Sequence, residues 1–92
     1  MTYAREVDLR DVLRMVEHCA KGNRQKQGDY RVQIQFNGLT YQLPHGEKAQ
    51  KTKLVETGHV RKMVKFLGIL PSCADEQLPL LAGMFGVDPS PP

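Results

Sequence analysis

No run of apolar residues in the chain approaches the roughly 18–20 needed to span a bilayer. A membrane-spanning helix is therefore not expected, and no membrane partner follows from the sequence. The opening stretch, MTYAREVDLRD, lacks the apolar core of an export signal, so export is not expected either. Cysteine is scarce. Cys19 and Cys73 stand alone, without the closely spaced ligand pairs of a structural zinc site. A reduced pair of thiols in a cytosolic setting is the expectation, rather than a disulfide. His18, His45 and His59 are scattered and read as surface or part-buried side chains, not metal ligands. There is no Gly-x-Ser-x-Gly, no P-loop and no dinucleotide fingerprint, and GNRQKQG at 22–28 is too loose to be a phosphate loop. A Cys/His pair meets in space rather than in sequence, so spacing does not decide it. Cys19, however, falls near the apolar side of a helix, where a small inert core thiol is expected. A chain of 92 residues also leaves little room for a deep catalytic cleft. Together these absences point away from an enzyme. They leave no metal, no cofactor and no small-molecule substrate to expect.

What is present is ordinary in amount and uneven in placement. Apolar residues make up 40% and charged residues 25%, as in a globular domain. The net charge of +3 conceals an asymmetry: residues 1–20 sum to −1, 21–44 to +3, 45–65 to +4 and 66–92 to −3. The middle of the chain is thus a basic belt of about +7, a better magnet for polyanions than the total suggests.

Three helices and a hairpin are legible. Leu9, Val12, Leu13, Val16 and Ala20 recur at helical spacing over 8–21, with Asp8 as N-cap and Gly22 at the end. Residues 22–28 lack apolar content and read as a basic loop, solvated or held by a partner. Tyr30, Val32, Ile34 and Phe36 alternate with Arg31, Gln33 and Gln35, and Asn37-Gly38 supplies a type I′ turn. That turn sets Phe36 opposite Leu39, Ile34 opposite Tyr41 and Val32 opposite Leu43, all on one face. The other face carries amides where ordinary charges would be expected. A basic connection over 45–56 has room for a short strand at 53–56. A second helix over 57–67 presents Val60, Met63, Val64 and Leu67 and ends at Gly68. Ser72 and Asp75 resemble a capping box opening a third helix, which Pro79 kinks or splits. The expected fold is α+β: a small two-layer sandwich in which helices cover an antiparallel hairpin, in the order α-β-β-α-α. Residues 1–87 form its single domain and 88–92 a flexible tail.

Cations hold phosphates, while amides and hydroxyls make directional bonds to sugars, bases or protein backbone. The basic groups are interleaved with Asn23, Gln25, Gln27, Gln33, Gln35, Asn37, Gln42 and Gln50. Such a surface dehydrates at lower cost than a wholly charged one. The expected contact residues are Arg24, Lys26, Arg31, Gln33, Gln35, Lys48, Lys51, Lys53, Arg61 and Lys62.

Two resemblances sharpen this. The order helix, hairpin, basic connection, helix, with LPHG followed by TGHVRKMVKFLGI, resembles the HicA-type mRNA interferases and their double-stranded-RNA-binding-like fold. Those toxins depend on a histidine in a GSHH-like strand start, and the corresponding stretch here, QGDYRVQ, has none. The resemblance implies an RNA-binding module without ribonuclease activity. Over its whole length, from MTYAREVDLRD to GMFGVDPSPP, the chain also resembles the phage-encoded type I-F anti-CRISPR proteins. That resemblance implies a non-enzymatic inhibitor in the host bacterial cytosol, a monomer when free. Its partners would be the protein subunits and guide RNA of the type I-F surveillance complex, and its effect would be to prevent target DNA hybridisation. A third possibility is an adaptor that docks through Leu80, Met84 and Phe85, although those residues more simply complete the core.

Overall fold

The computed structural model describes residues 5–46, 53–81 and 85. Among them the chain forms β1 (Glu6–Asp8), α1 (Leu9–Cys19), β2 (Arg24–Gln27), β3 (Arg31–Phe36), β4 (Leu39–Pro44), β5 (Leu54–Glu56), α2 (Thr57–Leu67), α3 (Pro71–Gln77) and a 3-10 turn at Pro79–Leu81. Expected residues Lys48 and Lys51, with Gln50, Met84 and the 88–92 tail, lie outside the described residues.

The fold is a small two-layer α+β arrangement. Strands β2, β3 and β4 form an antiparallel sheet in that order, and β1 and β5 form a separate two-stranded ribbon. The hairpin register is the one the Asn37-Gly38 turn demands: Phe36 opposes Leu39, Ile34 opposes Tyr41 and Val32 opposes Leu43. Asn37 and Gly38 both take positive φ, 54° and 74°. Val32, Ile34 and Leu43 are fully buried, whereas Tyr30 and Leu39, at the ends of the same face, remain exposed beyond the helical cover.

Helix α1 begins where its cap predicts. Asp8 Oδ1 accepts the Arg10 N–H at 2.8 Å, satisfying one orphan donor of the first turn. Val12, Met15 and Val16 are wholly buried on one side of the helix. Helix α2 buries Val60, Met63, Val64 and Leu67 and ends at Gly68, whose φ of 74° suits a residue without a β carbon. The ribbon joins the starts of both helices: Val7 pairs with Val55, and each strand runs directly into its helix. The Thr57 N–H donates to the Arg5 carbonyl and the Leu9 N–H to the Lys53 carbonyl, which cross-ties the two entrances. On the inner side of β4, Tyr41 meets Phe66 of α2 with ring centroids 5.9 Å apart. Burial there raises the Tyr41 phenol above its ordinary pKa.

Four expectations need correction. Residues 22–28 are not a loop throughout, because Arg24–Gln27 is a paired strand. The strand expected at 53–56 is confined to Leu54–Glu56, where it pairs with β1. The third helix opens one residue before Ser72, with Pro71 in its first turn and no side-chain cap. Proline suits that position because its missing N–H would have had no helical partner. Finally, Cys19 and Cys73 form a disulfide, with Cα atoms 5.8 Å apart across a sequence separation of 54. The end of α1 and the start of α3 pack together, and this brings two distant cysteines face to face. The break at Pro79 is present as the change from α3 to the 3-10 turn. Leu78 and Leu81 are buried and Phe85 packs against the core, so these members of the third-helix region complete it.

Candidate functional site

The outer face of the β2-β3-β4 sheet follows from the register. Directly opposed residues of antiparallel strands point to the same side. Arg24 opposes Gln35, and Gln35 opposes Thr40. Lys26 opposes Gln33, and Gln33 opposes Gln42. Arg31 opposes Pro44. These three cross-strand rows all lie on the side away from buried Val32, Ile34 and Leu43. Five expected contact residues, Arg24, Lys26, Arg31, Gln33 and Gln35, therefore share one surface. All but Gln33 are exposed, and Gln33 is half-buried between its neighbours.

The strand residues of this face include three cations, three glutamines and a threonine, with no carboxylate and no aromatic ring. At the turn end a shallow depression of about 380 Å³ is lined by Arg24, Gln35, Thr40 and the Asn37-Gly38 turn, among others. It places one guanidinium beside an amide and a hydroxyl in a concave setting. Such a set can hold an anion and bond to its neighbours. Phe36 also lines the depression but packs against the core from the inner side, so the outer face offers no aromatic platform on which bases could stack. Its chemistry suits a sugar-phosphate backbone or a polar protein surface.

The structure divides the rest of the expected belt. Arg61 and Lys62 lie on α2, which packs against the inner side of β4, so they belong to the opposite layer. Lys53 precedes β5 and lines a groove beside α1. The Gly46 N–H donates to the Leu54 carbonyl at 2.9 Å, which ties the end of the hairpin to β5.

The amides divide too. Asn23 Nδ2 donates to the Ala20 carbonyl at 2.7 Å, closing the end of α1. Gln25 Nε2 donates to Asn23 Oδ1 at 3.1 Å. Asn37 Nδ2 donates to the Leu67 carbonyl at 2.9 Å, tying the turn to the end of α2. These three serve the fold, whereas Gln33, Gln35 and Gln42 face outward. Thr40, which is not among the expected contact residues, completes the Arg24 row. The hairpin alternation already contained that signal. Among the described residues no group of three or more His, Cys, Asp or Glu side chains is arranged to hold a metal ion. No family model, curated protein or solved structure matches the chain.

Proposed function

We propose that the protein is a non-enzymatic inhibitor of the bacterial type I-F RNA-guided surveillance complex. Its outer sheet face would lie on guide-RNA backbone and adjoining protein surface and so prevent target DNA from hybridising. The observation that carries this reading is the assembly of Arg24, Lys26 and Arg31 with four uncharged hydrogen-bonding side chains on a face without a carboxylate. That surface opposes DNA mimicry, which needs dense negative charge. It favours contact with polyanion backbone, since phosphate contacts supply affinity and amides supply directional bonds. Heteroduplex formation nucleates at the guide's seed, so a small protein seated there blocks the step on which the rest depends.

A second reading is an RNA-binding module of the double-stranded-RNA-binding-like kind, without nuclease activity. Its support is the extra strand β2: α1 and three sequential antiparallel strands are followed, after the short β5 of the separate ribbon, by α2 over the region where that resemblance lies.

Size-exclusion co-elution separates the two. The protein is mixed with assembled type I-F surveillance complex, and separately with free guide RNA, at moderate salt. Co-elution with the complex and loss of target-DNA binding is the expected result. Binding to free RNA alone would replace the inhibitor reading with the second one, and binding to neither would remove both.

A further inference from the structure

Strand β2 has a second side that the outer face does not use. Among the described residues no strand pairs with its far edge, because it ends the order β2-β3-β4. Which backbone groups that edge presents follows from the register. The Gly28 N–H donates to the Arg31 carbonyl at 2.8 Å across the Asp29-Tyr30 turn. Bonded and non-bonded pairs alternate along an antiparallel ladder from that point. Lys26–Gln33 and Arg24–Gln35 are then the bonded pairs, and Gln25 and Gln27 turn their N–H and C=O groups toward the open edge. Beside this edge a groove of about 600 Å³ separates β2 from α1, lined by Leu13, Arg14, Glu17, Gln25, Gln27 and Lys53 among others. Asp8 and Arg10 also reach it, but Asp8 caps α1 and pairs with Arg10 at 3.6 Å.

We propose that this groove receives an extended acidic peptide segment of a partner protein, added to β2 as a fourth strand. The edge selects a strand. Two donors and two acceptors alternate along it, and only another peptide backbone matches both. A phosphate backbone offers acceptors to the N–H groups but no regular donor to the carbonyls. Charge then selects an acidic segment. Arg24 and Lys26 project from one side of β2, and Arg14 and Lys53 line the groove with Glu17, while the other lining carboxylate, Asp8, is paired with Arg10. Charge also disfavours a second copy of this chain. Antiparallel pairing of two β2 strands about Gln25 would set Arg24 of one copy directly against Lys26 of the other, a destabilising opposition. Leu13, partly buried against the core, supplies an apolar floor for one inward side chain of the guest. The inference differs from the outer-face reading in resting on the edge of β2 and on Arg14, although Arg24 and Lys26 serve both.

The test uses a blocked ten-residue peptide of alternating glutamate and valine, followed by NMR titration and amide hydrogen exchange on the whole protein. Binding should slow exchange of the Gln25 and Gln27 amides at least tenfold. Gln27→Pro deletes one outward donor while sparing the ladder to β3, as edge strands tolerate. It should weaken binding at least tenfold. Should that variant misfold, Arg14→Glu, at an exposed helical position, gives the same expectation without touching the sheet. A peptide with lysine in place of glutamate should not bind. The proposal is overturned if the two amides gain no protection, if they are already protected in the free protein, or if the lysine peptide binds equally. Displacement by oligouridylate with the same protection pattern would also overturn it, by showing a general polyanion site.

Discussion

Asn37 holds two parts of the molecule at once. Its φ of 54° starts the β3–β4 turn, and its amide bonds the last carbonyl of α2, 30 residues away. Directly behind that amide is Gly68, where an added β carbon would lie 3.3 Å from Asn37 Nδ2 and φ is 74°. The helix end and the turn are therefore fitted to one another at a single point. Asn37→Gly keeps the turn and gives up the bond, a loss of about 1 kcal/mol. Asn37→Ala keeps a β carbon in the left-handed region but loses the short polar side chain that eases it there, for about 2 kcal/mol in all. Urea denaturation of the two variants measures the difference, and equal stability of Asn37→Ala and the native chain would show that the contact carries nothing. The turn role of Asn37 was legible from its Gly38 neighbour. Its bond to α2 was not, because no local pattern reports a partner so far along the chain.

The same division runs through the elements. Helix α1, helix α2 and the β3–β4 hairpin announce themselves by periodicity plus a terminal signal: Asp8, Gly68 and Asn37-Gly38. Strand β2 announces nothing. Its residues, Arg-Gln-Lys-Gln, have no apolar alternation, because one side faces solvent and the other an open groove. Its pairing is decided by β3, which has a free edge to offer. The three-residue strands β1 and β5 are too short to show a period, and the capping-box reading of α3 yielded to Pro71. The Cys19–Cys73 bond belongs to this scale, since it ties α3 to the end of α1. For the loop it closes, the chain-entropy account gives about 4 kcal/mol, an upper value for a bond of this span. Cys19→Ser with Cys73→Ser should lower stability by about 2–4 kcal/mol in urea titration. It should leave the outer sheet face, and hence binding to the surveillance complex, unaltered. Loss of binding in a folded double variant would show that α3 contributes to the contact surface.

At the scale of the whole molecule, one basic belt in sequence is divided among separate surfaces in space. Half of the expected contact residues, Arg24, Lys26, Arg31, Gln33 and Gln35, gather on the outer sheet face. Arg61 and Lys62 lie in the helical layer behind it. A sequence records charge order but not which layer each segment joins, so the division could not be read from the belt. It makes the two halves separable by experiment. Lys26→Gln with Arg31→Gln removes two cations from the outer face and preserves its amide character. If both hold guide phosphates, affinity for the surveillance complex falls at least tenfold. The slope of log affinity against log salt then shrinks by about 1.4, as expected for two contacts on a single strand. Arg61→Gln with Lys62→Gln removes the same charge from the other layer, so it controls for long-range attraction. Its affinity should change by no more than the modest amount that two screened, distant charges produce at physiological salt. Equal losses from the two pairs would mean that the whole field, not the sheet face, attracts the partner. A larger loss from the α2 pair would move the contact surface to the helical layer.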